Sequence, residues 1–288
     1  SLSLGAEYDD NAGQLPKNTT IEPGGIESKD DFRITHGLSG SYLIHDDTRH
    51  RIYTNASYYG ITHINDSPFD INSVSGSVLW RFRLDRFQAG LGGTFSQAWL
   101  SSERDSRIWK INPRISYHMR SWTWADLSYE YSSINFFGTP PTPEENRDSD
   151  YNYFSLKQWF SFDSPLLDNN TTLISLGLNH STNNAEGLSY ENDGTGGSIY
   201  LMQELTSKLS LECSFSYREI EYDHPNIRSA LGLARSDDQM VFSARLYRRF
   251  TDYLTVFLGY RYFENNSNIP DFYEYNSTVY SLGIRVDI

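Results

Sequence analysis

Residues 74–96 read VSGSVLWRFRLDRFQAGLGGTFS and contain two alternating stretches joined by Asp85 and Arg86. From Val74 to Leu84 every second residue is apolar or glycine, and four of the five intervening residues are serine or arginine. The alternation resumes at Phe87. A period of two indicates β-strands with one apolar and one polar face. The chain as a whole is hydrophilic, with a mean hydropathy of −0.56. The question is therefore what this apolar face contacts.

The same alternation covers most of the 288 residues. It is clear in residues 52–64, 109–119, 209–218 and 275–288, and no stretch shows a convincing helical period. About fourteen strands are predicted from this pattern. They lie near residues 2–10, 32–45, 50–64, 72–84, 86–100, 107–119, 122–136, 151–163, 171–183, 194–206, 208–222, 237–250, 253–265 and 275–288.

The predicted connections alternate between short and long. The short ones are at residues 46–49, 85, 120–121, 164–169, 207 and 251–252. The long, polar ones are at residues 11–31, 65–71, 101–106, 137–150, 184–193, 223–236 and 266–274. Short periplasmic turns and long extracellular loops are typical of bacterial outer-membrane barrels. The chain is therefore expected to be all-β, a single transmembrane up-and-down antiparallel barrel over residues 1–288, located in the bacterial outer membrane.

The alternative is a water-soluble β-sandwich or a lipocalin-like barrel. Sandwich strands usually have about 5–6 residues. The predicted strands are long enough to cross a bilayer at a tilt, which takes about 9–11 residues. Aromatic residues also collect at both ends of the apolar faces, as interfacial girdles do. The predicted girdle consists of Trp80, Phe82, Phe87, Phe160 and Phe162 near short turns, and Trp99, Trp109, Tyr129, Tyr131, Tyr260 and Tyr262 toward long loops. The apolar face is expected to contact outer-membrane lipid and lipopolysaccharide.

Composition excludes several classes of function. The net charge of −13 argues against a nucleic-acid partner, because nucleic-acid binding requires a basic surface. A single cysteine excludes a disulfide framework or a multi-thiolate metal site, and no metal or other cofactor is expected. The chain begins inside a strand without an initiator methionine, which favours a mature or truncated product.

Pro113 lies in the middle of a predicted strand. Proline removes a hydrogen bond from the strand ladder, so a β-bulge is expected there.

The polar faces carry more basic than acidic residues. The predicted pore-lining basic residues are Arg33, Arg81, Arg83, Lys110, Arg114, Lys157, Arg218, Arg245, Arg249, Arg261 and Arg285. The predicted pore-lining acidic residues are Asp126, Glu130, Glu204 and Glu212. Most other acidic residues lie in or beside the long loops. Two interpretations remain open: the basic residues pair with lumenal acids across strands, or they form a positive lining that favours anions.

Catalysis is not expected. The seven histidines are scattered, and none lies in a recognisable nucleophile motif. Ser116 and His118 share a strand face, and His63 lies near Asp66, but a nucleophile, base and orienting group would have to converge. No catalytic residue is therefore assigned.

The segments YDDN (8–11), RDSDYNYFSL (147–156), residues 234–268 and the closing YNSTVYSLGIRVDI (275–288) resemble the barrel portion of Gram-negative outer-membrane proteins. In many of these a periplasmic tetratricopeptide-repeat region precedes the barrel. The group includes exopolysaccharide-export barrels and surface lipoprotein assembly modulators, whose barrel is also fourteen-stranded. The resemblance spans most of the chain but brings no catalytic motif, and it implies a periplasmic repeat region or another export-machine protein as a partner.

Three functions follow as hypotheses. The first is a porin-like channel passing small solutes or an extended polymer, with a lumen biased toward anions. The second is the barrel component of an export or assembly machine that works with a periplasmic partner. The third is a structural or adhesive barrel plugged by loops 11–31 and 137–150.

Overall fold

The computed structural model describes residues 1–12, 14, 30–64, 69–164, 170–229 and 231–288. Fourteen antiparallel strands form one closed barrel, in which each strand pairs with its sequence neighbours and β1 pairs with β14. The strands are β1 Leu2–Asp9, β2 Asp31–Asp46, β3 His50–His63, β4 Ile71–Leu84, β5 Phe87–Leu100, β6 Glu103–Arg120, β7 Thr123–Phe136, β8 Ser149–Asp163, β9 Thr171–Ala185, β10 Asn192–Thr206, β11 Leu209–Pro225, β12 Ala234–Arg249, β13 Leu254–Ser267 and β14 Tyr275–Val286. The predicted barrel is confirmed.

One predicted connection is wrong. Residues 101–106 were expected to form a long loop, but β6 already begins at Glu103. Ser101 and Ser102 have positive φ angles of 46° and 73°, as both central residues of a type I′ hairpin turn do. This tight turn closes a hairpin in which the two strands continue pairing up to Leu100 and Glu103.

The β-bulge expected at Pro113 is also absent. The β6–β7 register is the same before and after it, at Ile111–Tyr131 and Arg114–Ser128. Odd-numbered residues of this part of β6 bond toward β7, as the bond from Phe137 N to Asp105 O (3.0 Å) shows. The proline cannot donate to the Tyr129 carbonyl, and the Asn112 side-chain amide donates to it instead (2.8 Å). A neighbouring side chain therefore replaces the missing ladder bond.

The apolar side chains point away from the barrel axis. Ile220 and Ile269 are the hydrophobic side chains that are fully buried in the described ranges. In contrast Val78, Ile111 and Leu282 are each more than half exposed. A water-soluble protein would bury such residues, whereas a transmembrane barrel presents them to lipid. The partner of the apolar face in residues 74–96 is therefore the membrane.

The two ends of the barrel differ. At one end tight turns join β4 to β5, β6 to β7, and β10 to β11. In the turn between β2 and β3, backbone N–H groups of His50 and Arg49 and the His45 side chain hold the pKa of Asp47 well below its usual range. At the other end the loops carry 3₁₀ turns at Pro143–Glu145 and Leu188–Tyr190 and the short helix α1, Pro270–Tyr273. No helix within the described ranges has the length and apolarity needed to cross a membrane.

Candidate functional site in the barrel lumen

The inner wall carries two basic regions on opposite sides of the barrel. The first lies on β4–β6, where Arg81 and Arg114 line a cavity of about 410 Å³ together with Gln88 and Asn112. The second lies on β12 and β13, whose arginines line a cavity of about 520 Å³. Strands β4–β6 and β11–β13 are half the circumference apart in the strand order. The two basic regions therefore face each other across the lumen.

The larger cavity combines charges of both signs. Arg33, Arg245 and Arg261 line it together with Glu7 and Glu212. Arg245 and Arg261 are exposed, although they lie on an inner wall. Their exposure shows that side chains of the described residues do not fill the space in front of them.

Four of the predicted lumenal cations form ion pairs. The Lys110 ammonium contacts Glu130 (2.9 Å), and Arg114 contacts Asp126. Arg33 contacts both Glu7 (2.8 Å) and Asp9 (3.1 Å), and Arg285 contacts Asp287 (3.1 Å). The first two pairs join β6 to β7, and the Arg33 pairs join β2 to β1. These cross-strand pairs are consistent with the interpretation as ladders, whereas Arg285 and Asp287 belong to the same segment of chain.

The other predicted lumenal cations form no ion pair with the described residues. Within the described ranges no carboxylate lies at ion-pair distance from Arg81, Arg83, Lys157, Arg218, Arg245, Arg249 or Arg261. Arg218 donates to the Ser181 hydroxyl, and Arg249 donates to the Ser207 carbonyl (2.9 Å). Arg81 lies 5.5 Å from the centre of the Tyr53 ring. The lumen therefore contains both paired cations and cations whose charge is not neutralised by a direct neighbour.

The predicted lumenal acids are held in place by neighbours. Asp126 is buried beside Arg114, and Glu130 also accepts a bond from the Ser132 hydroxyl (3.0 Å). Glu204 accepts the backbone N–H of Thr171 (2.9 Å). Both Glu204 and Glu212 line a smaller cavity of about 290 Å³ near the short-turn end, with Arg249 and Arg285.

An inward-facing group of aromatic residues was missed in the sequence. His118, Trp124, Trp159 and Tyr200 lie side by side on β6, β7, β8 and β10. Trp124 lines the cavity that contains Arg81 and Arg114, and Tyr200 lines the cavity that contains Arg245. Tryptophans on the otherwise polar faces of residues 123–136 and 149–163 were the available signal.

The residues predicted for the aromatic girdle occupy positions that alternate with these inward residues. The ring centres of Trp80 and Phe82 are 6.2 Å apart, and those of Phe87 and Tyr117 are 4.8 Å apart. Toward the long loops, Tyr260 lies 5.5 Å from Tyr280. Further rings join them on the same face. These are Phe95, Trp122, Phe154 and Phe242.

The loops at the long-loop end contact one another. Asn146 donates to Glu186 (2.7 Å), which links loop 137–148 to loop 186–191. Arg228 lies 3.5 Å from Glu145 and 5.9 Å from the Phe272 ring centre. The loop after β7, predicted as one half of a plug, thus contacts two other loops directly and is connected to a third through Arg228. Most of the other half, residues 15–29, lies outside the described residues.

The residues weighed for catalysis do not converge. His63 lies 3.5 Å from Asp70, and Asp66 lies outside the described residues. Ser116 and His118 line one cavity, but no hydrogen bond between them occurs in the described part of the barrel. No group of three potential metal ligands is present among the described residues.

Comparisons with known proteins identify both a family and a fold. A family model described as surface lipoprotein assembly modifier matches residues 1–283. The structure is similar to that of OmpT, an outer membrane protein of Vibrio cholerae, with a TM-score of 0.55 and 10% identity over 99% of this chain and 96% of that chain. It is also similar to a Pseudomonas aeruginosa FadL homologue, with a TM-score of 0.50 and 11% identity over 99% and 90% of the two chains. At these identities the similarity shows the fold alone. No curated protein matches the sequence.

Proposed function

The chain belongs to the surface lipoprotein assembly modifier family, and we propose that its barrel, which spans the bacterial outer membrane, provides a water-filled passage used in assembling surface lipoproteins. In this role the barrel is a conduit and not an enzyme. The finding that supports the proposal most strongly is the set of exposed arginines on the inner wall, led by Arg81, Arg245 and Arg261.

The cost of burying charge supports a hydrated lumen. A guanidinium group without an ion-pair partner would be strongly destabilised in a dry, packed interior. These three arginines therefore require water in the lumen. A barrel of fourteen strands is wide enough for this, since eight-stranded barrels are filled by side chains and 16–18-stranded porins contain an aqueous channel.

The charge of the passage is the second part of the proposal. Cations on facing walls of a narrow water column, surrounded by low-dielectric lipid and protein, raise the local concentration of anions. The family assignment supports lipoproteins as the molecules that are handled. We propose that acidic groups of an extended chain are favoured in this lumen over basic groups.

Planar-bilayer recording tests whether the passage is open. Purified barrel is expected to insert with stepwise, ohmic current increments. Obstruction by the loop network at the long-loop end is tested separately with an Arg228→Ala variant, which removes the contacts to Glu145 and Phe272. Absence of conductance in both proteins would contradict an open lumen.

A cellular assay tests the link to lipoproteins. In a Gram-negative host, surface exposure of a co-expressed lipoprotein is measured by protease shaving of intact cells. We expect exposure with the parent and a marked loss with Arg81→Glu/Arg245→Glu/Arg261→Glu. Equal exposure with the parent and an empty vector would refute the assembly role, whatever the conductance.

Diffusion of small solutes is the second candidate, and the two solvent-filled cavities of about 410 and 520 Å³ favour it. A pore that conducts but has no effect on lipoprotein exposure would support this function instead.

A further inference from the structure

Four aromatic rings form a continuous row on the inner wall. The ring centres of His118 and Trp124 are 5.8 Å apart, with planes inclined by 24°. Those of Trp124 and Trp159 are 5.7 Å apart and nearly parallel, at 6°. Tyr200 continues the row edge-to-face, 5.9 Å from Trp159. The spacing between successive rings is therefore nearly constant.

The strand register explains why the row is continuous. His118 is directly opposite Trp124, and Trp124 is directly opposite Trp159. Between Trp159 and Tyr200 lies β9, where Ser175 pairs with both. Ser175 is only 3% exposed. Its small side chain lets the two large rings meet above it.

The row connects the two basic cavities. Trp124 is the second residue of β7, next to the short-turn end, whereas Tyr200 lies six residues before the end of β10. The row therefore climbs from one end of the barrel toward its middle. Its lower part borders the cavity with Arg81, and its upper part borders the cavity with Arg245.

Polar side chains accompany the rings. Asp126 and Lys157 are opposite each other on β7 and β8, each two residues from a tryptophan of the row. Glu212 and Tyr200 line one cavity. A ligand on this row would thus meet aromatic rings, polar side chains such as Lys157 beside them, and the guanidinium groups of the two basic cavities at its ends.

We propose that the row of His118, Trp124, Trp159 and Tyr200 is a binding track for an elongated anionic oligosaccharide. This goes beyond a role in lipoprotein assembly. A sugar ring has apolar C–H faces and hydroxyl groups around its edge, which match aromatic rings flanked by polar groups. The spacing of the rings is close to the length of one sugar unit, so successive units can contact successive rings. Carboxylates on the sugar are attracted by Arg81 and Arg245.

A polypeptide fits the row less well. Its side chains vary in size and alternate in direction every residue, so a regular series of ring contacts would require a special sequence. A homopolymeric glycan repeats one and the same ring, with C–H groups on its faces, at every unit. A row of near-constant spacing therefore favours the glycan, and an acidic peptide serves as the competing probe.

Calorimetric titration of the folded barrel in detergent micelles tests the proposal without requiring conductance. The probes are a β-1,4-linked hexamannuronate, the neutral β-1,4-linked mannohexaose of the same stereochemistry, and hexaglutamate. We expect measurable binding of hexamannuronate that weakens with salt, weaker binding of mannohexaose, and the weakest binding of hexaglutamate. Absence of hexamannuronate binding, or binding no tighter than hexaglutamate, would overturn the proposal.

Matched variants locate the site. Trp124→Ala/Trp159→Ala is expected to weaken hexamannuronate binding about tenfold, given the usual strength of aromatic ring contacts. Trp159→Leu keeps much of the side-chain volume but removes the ring. It replaces the double variant in the binding measurement if the double variant does not fold. Phe160→Ala is the control, since Phe160 is adjacent in sequence but packs against Trp122 on the outer face. An equal loss in the control, or no loss in either tryptophan variant, would place binding elsewhere.

Discussion

Individual residues show which side of the wall faces lipid. Val78 and Leu91 are about half exposed, and both belong to the apolar face of one hairpin. Ser77 and Thr94 pair directly with each other on the opposite face of that hairpin. The two faces therefore provide neighbouring positions in opposite environments.

Substitution by arginine at these positions tests the lipid face. Val78→Arg or Leu91→Arg is expected to impair folding into bilayers, because a charge near the bilayer midplane costs about 2–4 kcal/mol. Ser77→Arg or Thr94→Arg should fold as the parent does. Folding yield is measured by the shift in gel mobility of unheated samples. Equal tolerance at both pairs would contradict the assigned faces.

Asn112 offers a second test at the level of one hydrogen bond. Asn112→Ala removes the donor to the Tyr129 carbonyl and is expected to destabilise the barrel by about 0.5–1.5 kcal/mol. In a Pro113→Ala background the restored backbone N–H can donate to the same carbonyl. The cost of Asn112→Ala should therefore be smaller there, as measured by urea unfolding. The same cost in both backgrounds would mean that the side chain does not replace the ladder bond.

At the scale of the elements, the connections at the two ends of the barrel are stabilised in different ways. The strands pair along most of their length, and the short turns are closed by local bonds such as those to Asp47. The loops at the other end instead bond to one another, through Asn146 and Arg228. We expect the short-turn end to face the periplasm and the long-loop end to face the exterior.

Cysteine labelling tests this orientation. Cys213 pairs with Ala244 on the outer face and is first replaced by serine. Glu144→Cys, in the exposed 3₁₀ turn after β7, should react with a membrane-impermeant reagent on intact cells. Ser207→Cys, in the exposed turn before β11, should react only after lysis. The reverse pattern would invert the topology.

Features that depend on one strand alone could be predicted from the sequence, whereas features that depend on contacts between strands could not. The faces of residues 74–96 could be predicted because alternation within one strand is enough to define them. The behaviour of Pro113 could not, because it depends on the rotamer of Asn112 and on the direction of the β6 hydrogen bonds. The aromatic row could not either, since it requires the register of four strand pairs to bring His118 and Tyr200 to its ends.

At the scale of the whole molecule the charges are separated by location. The chain has a net charge of −13, yet the inner wall carries, on two opposing sides, arginines that have no carboxylate partner among the described residues. The loop acids lie in water and are screened over about 8 Å at physiological ionic strength, whereas lumenal charges act on a confined water column. The lumen is therefore expected to control ion selection.

The reversal potential across a salt gradient at low ionic strength tests this central claim most directly. The parent barrel is expected to prefer anions, and Arg81→Ser/Arg245→Ser/Arg261→Ser should lose that preference. Arg104→Ser/Arg107→Ser/Arg147→Ser changes the net charge equally, but its arginines lie against Phe136 and Phe137 near the long-loop end, and it should keep the preference. A cation-selective parent, or a lumen variant with unchanged reversal potential, would contradict the basic lumen as the basis of selectivity.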